Sequence, residues 1–203
     1  MIFGARLRIL LVLAAGWLAT PALAQPAMQP AWGLPQLMAG LARVKSASAQ
    51  FTEHKTMAVL NAPLVATGTL DYAAPDWMQK ITVAPVPERF VLSGQQITMT
   101  DGQDQQTHVF SVRQDALIGG LTEGILDTLA GDLTALTRVY DVQFSGGPAS
   151  WQLVLQPRDP AMRRVISWMC IRGSQNRIGS IATQSANGDH SEMSIAETVD
   201  DAR

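Results

Sequence analysis

The chain has 203 residues, of which 47% are hydrophobic and 16% charged, and its formal net charge is −2. A mildly acidic balance with no basic run argues against nucleic acid or an anionic membrane surface as the main partner. The single cysteine, Cys170, excludes a disulfide within the chain, and its place in the apolar stretch VISWMCIRG predicts a buried, inert thiol.

The opening segment, MIFGARLRILLVLAAGWLATPALA, sets Arg6 and Arg8 before an apolar run and closes on Ala22-Leu23-Ala24. This is the layout of a secretory signal peptide cleaved after Ala24. Gly16, Thr20 and Pro21 interrupt the run, which falls short of the roughly 20 residues a membrane span needs. Cleavage removes two arginines and no acid, taking the net charge from −2 to −4. No cysteine follows the cleavage site to accept a lipid, so residues 25–203 are expected to form one exported, soluble domain.

After the Pro-rich lead-in QPAMQPAWGLPQ, the residues Leu34, Leu37, Met38, Leu41 and Val44 recur at helical spacing, with Pro35 acceptable in a first turn. From Ala49 to Val112 the chain reads as strands: Ala49–Val59, Leu64–Tyr72, Trp77–Val83, Glu88–Ser93, Gln96–Thr100 and Gln105–Val112. Their short connections favour sequential antiparallel hairpins. The stretch DALIGGLTEGILDTLAGDLTALTRVY then repeats Leu117, Leu121, Ile125 and Leu129 every four residues. Asp115 is its candidate N-cap, Gly131 its stop, and Asp132 a cap for a second short helix. Gly119, Gly120 and Gly124 each cost about 1 kcal/mol relative to alanine, which predicts a loosely held helix. Strands resume at Val139–Ser145, Trp151–Gln156, Arg164–Arg172, Arg177–Gln184 and Glu192–Glu197. A meander of about eleven strands must curl, so a half-open barrel with helices across its mouth is the simplest outcome.

Signs of catalysis are sparse. His54, His108 and His190 stand on separate strands or turns, and Glu53 next to His54 faces the opposite side of its strand. GDHSE gathers Asp189, His190 and Glu192, the best candidate for acid–base chemistry, but Asn187-Gly188-Asp189 also reads as a hairpin turn. No nucleophile elbow, phosphate-cradling loop or zinc-protease motif occurs. No enzyme activity, metal or cofactor is expected. The methionines Met57, Met78, Met99, Met162, Met169 and Met193 either fill gaps in an ordinary core or form a pliable apolar wall for acyl chains.

Four stretches resemble the LolA family of periplasmic lipoprotein carriers: SAQFTEHK, GTLDYAAPDW, PERFVLSGQQITM and LVLQPRDPAMRRVISWMCIRGSQNRIGSI. The resemblance implies a mainly β, unclosed antiparallel barrel lidded by helices, with an apolar cavity for acyl chains of a lipoprotein or lipid. It also implies a periplasmic monomer that takes cargo from inner-membrane release machinery or an exporter to an outer-membrane acceptor. A sensor module that grips a partner segment in the same groove is the alternative. Alternation places Leu70, Tyr72, Phe90, Leu92, Ile97 and Met99 as the cavity wall or simply as core, and Leu117, Leu121, Ile125 and Leu129 become the lid. Two departures mark a divergent branch: Ala74 stands where the family carries a latching arginine, and Met78 and Lys80 replace expected aromatics. For residues 77–83 the two readings disagree. Alternation turns Trp77, Ile81 and Val83 inward; the resemblance turns Met78, Lys80 and Thr82 inward.

Overall fold

The computed structural model describes residues 32–114 and 116–197, with all their side chains except those of Ala116 and Leu117. The expected signal peptide, its cleavage site and the Asp115 cap lie outside the described residues.

Helix α1 (Leu34–Leu41) starts with Pro35 in its first turn, and the Gln36 side chain accepts from the Gly33 amide at 3.0 Å. Its apolar stripe buries Leu37, Met38 and Leu41. Six strands follow: β1 (Ser46–Thr56), β2 (Leu64–Ala73), β3 (Trp77–Ala84), β4 (Glu88–Ser93), β5 (Gln96–Asp101) and β6 (Thr107–Ser111). Helices α2 (Ala116–Ala130) and α3 (Leu133–Val139) come next. The chain ends with β7 (Tyr140–Gly147), β8 (Ser150–Pro157), the single turn α4 (Pro160–Arg163), β9 (Ile166–Ser174), β10 (Arg177–Ser185) and β11 (His190–Glu197).

All eleven strands belong to one antiparallel sheet, ordered β6-β5-β4-β3-β2-β1-β11-β10-β9-β8-β7. Two meanders are joined where the first strand pairs the last, in register from Ala49–Glu197 to Thr56–His190. Strands β6 and β7, which flank the helical crossover, are the two edges and do not pair with each other, so the barrel stays open. The predicted fold class is the one observed.

Element ends differ where local chemistry overrides β propensity. Gln105 adopts φ 61 in a turn, so β6 begins only at Thr107. The strand expected from Arg164 starts at Ile166, because Asp159 caps Ala161 N at 2.8 Å and Pro160 opens a helical turn. The cap predicted at Asp132 is present, with its carboxylate accepting from Ala135 N at 2.8 Å.

Two separate cores result. One gathers Leu37, Met38 and Leu41 of α1, Leu136 of α3, Tyr140 of β7, Trp151, Leu153 and Leu155 of β8, Met162 of α4, and Ile166, Met169 and Ile171 of β9. The other is smaller: Tyr72, Leu92, Ile97, Val112 and Leu126. Helix α2 bridges them, with Leu121 and Ile125 packed on the first and Ile118, Leu126 and Leu129 on the second. No helix among the described residues is long and apolar enough to cross a membrane.

Candidate functional site

Between α2 and the concave face of the sheet lies a cavity of about 360 Å³. Strand periodicity decides its floor, since every second residue of a strand points the same way. Ala47, Ala49, Glu53 and Lys55 come from β1, Leu70 and Tyr72 from β2, Met78 and Lys80 from β3, and Phe90 from β4. The far wall is Ile178, Ile181 and Thr183 of β10 with Ser191, Met193 and Ile195 of β11. Its roof is Ile118, Leu121, Thr122, Ile125 and Leu129 of α2, closed at one end by Leu41 and Val44 beside α1.

Of the seven expected wall residues, Leu70, Tyr72, Met78 and Phe90 line this space. Leu92 and Ile97 are sealed in the smaller core, and Met99 packs against it. Of the expected lid residues, Leu121, Ile125 and Leu129 face the cavity, while the Leu117 side chain lies outside the described residues. The phase of β3 is the one the family resemblance gave, with Met78 and Lys80 inward. Its pairing with β2 jumps from Thr67–Ala84 to Gly68–Thr82 and leaves Val83 as the extra residue of a bulge. Residues Trp77 to Thr82 are all half-buried, so no polar alternation was there to read.

Glycines in α2 mark close contact, which corrects the expectation of a loose helix. A Cβ at Gly119 would sit 2.0 Å from the Val112 carbonyl oxygen, and one at Gly120 2.1 Å from the Met162 methyl. At Gly124 it would meet the Tyr140 ring at 2.9 Å. Tyr140 also donates its hydroxyl hydrogen to the Gly120 carbonyl at 2.6 Å. The helix therefore presses its small residues onto the scaffold and turns its large ones toward the cavity.

One end of the cavity is polar. Glu53 is 6% exposed. Lys80 Nζ donates to Glu53 Oε2 at 2.6 Å, Ser191 Oγ donates to Oε1 at 2.6 Å, and Lys55 Nζ stands 3.6 Å from Oε1. Burial alone would raise the Glu53 pKa, but Lys80, Ser191 and Lys55 together outweigh it and hold the carboxyl below its ordinary value. Lys80 also lies 4.8 Å from the centre of the Phe51 ring. Gly68, opposite Phe51 on β2, leaves room for that ring, because a Cβ there would come within 2.8 Å of it. Among the described residues the buried Tyr72 hydroxyl has no hydrogen-bond partner, and burial raises its pKa.

The remaining candidates fall away from the cavity. His54 is exposed on the opposite face of β1 from Glu53. His108 lies on the edge strand β6, and His190 opens β11 with its ring 6.0 Å from that of Trp168. Asp189 accepts from Ala58 N at 3.0 Å and from the Asn187 side chain at 2.9 Å, which makes it a turn residue. Cys170 is buried, and burial raises its thiol pKa. Among the described residues no three His, Cys, Asp or Glu side chains converge as a metal site. Sequence reasoning missed Glu53 and the β11 wall as parts of the cavity. The alternation Ser191, Met193, Ile195 was a usable signal, but only its pairing with β1 shows that it faces the same space.

Solved structures similar to this one include a LolA superfamily protein from Nitrosomonas europaea, at 11% identity over 82% of this chain and 92% of that chain, with a TM-score of 0.44. A DUF1329 family protein from Desulfovibrio piger matches at 8% identity over 82% and 91%, with a TM-score of 0.46. The MucA/MucB complex of Pseudomonas aeruginosa matches at 10% identity over 80% and 55%, with a TM-score of 0.43. Among curated proteins, none matches the sequence. Over residues 26–203 the sequence fits the model for "outer membrane lipoprotein carrier protein LolA-like", and the chain belongs to that family.

Proposed function

We propose that the protein is a carrier that shields the acyl chains of a lipoprotein or lipid as they cross the periplasm from the inner to the outer membrane. The observation that supports this reading is an apolar-walled space of about 360 Å³ left unfilled between α2 and the sheet. That volume lies within the roughly 300–1,000 Å³ range of small-molecule sites. Each methylene moved out of water gains about 0.8 kcal/mol. Moving it from a bilayer to the cavity changes little, since both are apolar, so small packing differences suffice to drive loading and release. On this reading the protein catalyses no reaction. Met78 and Met193 give the wall adaptable side chains. Leu121, Ile125 and Leu129 cover the cargo. The donor is a release machine or exporter in the inner membrane, and an outer-membrane acceptor receives the load.

Mass spectrometry of the protein purified from its native envelope tests this directly. Acyl-bearing species should copurify, and a fluorescent fatty-acid probe should displace them. Leu121→Trp fills the roofed space and should weaken probe binding at least about tenfold while the protein stays folded. A clean protein that binds no probe would end the proposal. A polypeptide retained through delipidation would point to the partner-gripping alternative.

A further inference from the structure

The cavity is amphipathic along the strand direction. On β1 the residues that line it run from Ala47 and Ala49 to Glu53 and Lys55, about 26 Å at 3.3 Å per residue. Leu41, Val44 and Leu129 enclose the first end, with the solvent-exposed Arg177–Glu197 ion pair beside them, whereas Lys80, Thr183 and Ser191 join Lys55 and the buried Glu53 at the second. A pure hydrocarbon site has no use for a buried carboxylate with the Lys80 ammonium bonded to it, because desolvating such ions costs several kcal/mol each.

The hydrogen bonding at the polar end is unbalanced. Both Glu53 oxygens are engaged, Oε2 by Lys80 and Oε1 by Ser191. Among the described residues Lys80 hydrogen-bonds Glu53 alone, which leaves two of its three N–H groups available. Lys55, at 3.6 Å from Oε1, is beyond hydrogen-bond distance and keeps its donors. The other charges on the lining are accounted for. Arg177 and Glu197 pair with each other at 3.0 Å, and Asp71 accepts from Ser48 and Gln79. Glu88 is exposed at the start of β4, where water screens it. The end thus offers surplus N–H donors, and its one buried carboxylate is already engaged on both oxygens.

We infer that this end is a head-group subsite for a single-chain anionic amphiphile, whose carboxylate or phosphate is held by Lys80 and Lys55 while its tail lies toward α1. The inference rests on the carrier reading above and adds the polarity and orientation of the cargo. Glu53 and Ser191 act as positioning residues: they fix the Lys80 ammonium in the cavity wall, 4.8 Å from the centre of the Phe51 ring.

The test compares ligands with one tail and different heads on the full chain: a fluorescent long-chain fatty acid, its methyl ester, the matching alkylamine and the matching alkyl phosphate. The acid or the phosphate should bind about tenfold more tightly than the ester, with the amine weakest. Whichever anion is preferred identifies the head. Lys80→Met should erase that preference, with a distinctly smaller loss of ester affinity than of anion affinity. Lys55→Gln, at a half-exposed position that carries no tight bond, should reduce the preference about threefold without risk to folding. Glu88→Gln should increase it slightly. Equal binding of acid, phosphate and ester by the wild type, or equal losses for anion and ester in both lysine variants, would overturn the subsite and leave the carrier reading intact. No binding of any of the four would overturn both.

Discussion

The half of the sheet from β7 to β9 locks twelve buried residues into one cluster with α1, α3 and α4, whereas the half from β2 to β6 gathers five with α2. In the first half, α1, α3 and α4 press on the sheet, with Leu121 and Ile125 of α2 against them, and its large side chains interdigitate. In the second, α2 must cover the concave face largely alone, and a helix about 10 Å across cannot fill a curved sheet. The cavity lies where that cover runs thin. A binding site here is a consequence of unequal packing: one half supplies rigidity, and the other leaves apolar surface for something else to cover.

The sharpest way to break the comparison is to truncate one residue in each half. Trp151→Ala removes a fully buried ring whose Nε1 donates to the Gln175 carbonyl at 2.9 Å, and should cost about 3–5 kcal/mol in urea unfolding. Leu92→Ala, beside the thin core, should cost only about 2 kcal/mol, because neighbours facing the cavity can relax. Equal losses would show that the two halves are equally packed.

Gly119→Ala probes the seam between α2 and the sheet. The clash with the Val112 carbonyl outweighs any gain in helix propensity and should destabilise by about 2 kcal/mol. A stabilised variant would restore the loose helix expected from sequence.

Glu53→Gln weakens the hold on Lys80 and should cost about 1–2 kcal/mol near neutral pH, less than a fully buried pair because Lys80 is 23% exposed. Since the folded-state pKa of Glu53 is lowered, its contribution is fully present above the ordinary value of 4.5 and fades as pH falls through the lowered one. Wild type and variant should therefore converge in acid unfolding curves.

Asp127 gives the smallest effect, with the opposite sign. Burial, then Asp132 and Glu123, raise its pKa to about 6. The folded state therefore holds this proton more tightly than the unfolded chain does, and the stabilisation present at acid pH is lost as pH rises through about 6. Asp127→Asn should gain about 1 kcal/mol at pH 8, discounted for solvent screening, and nothing at pH 4. Thermal unfolding at the two pH values reads the difference.

How far the chain could be read ahead of its structure depends on the range of the interactions involved. Turns at Asn187–Asp189, the Asp132 cap and the four-residue stripe of α2 are local, and each is written within a few residues. The wall residues Leu70 and Tyr72 were visible because their strand alternates and their neighbours Thr69, Asp71 and Ala73 are polar or small, and Phe90 follows the charged Arg89. Strand β3 has no such contrast, and the inward side of its Lys80 is fixed by a carboxylate 27 residues away. Leu92 and Ile97 alternate just as well, yet Leu126 of α2 and Val112 close over them and shut them off from the cavity.

The sequence by itself determined the order and type of the elements, the hairpin connections and the family, since these follow from nearest-neighbour chemistry and repeating periods. Only the tertiary structure decided which apolar residues meet one another and which border empty space, and that the glycines of α2 are points of contact. It also brought Glu53, Lys80 and Ser191 together across three strands. Such choices depend on the curvature of the whole sheet and the seating of one helix on it, and no local window of the chain encodes either.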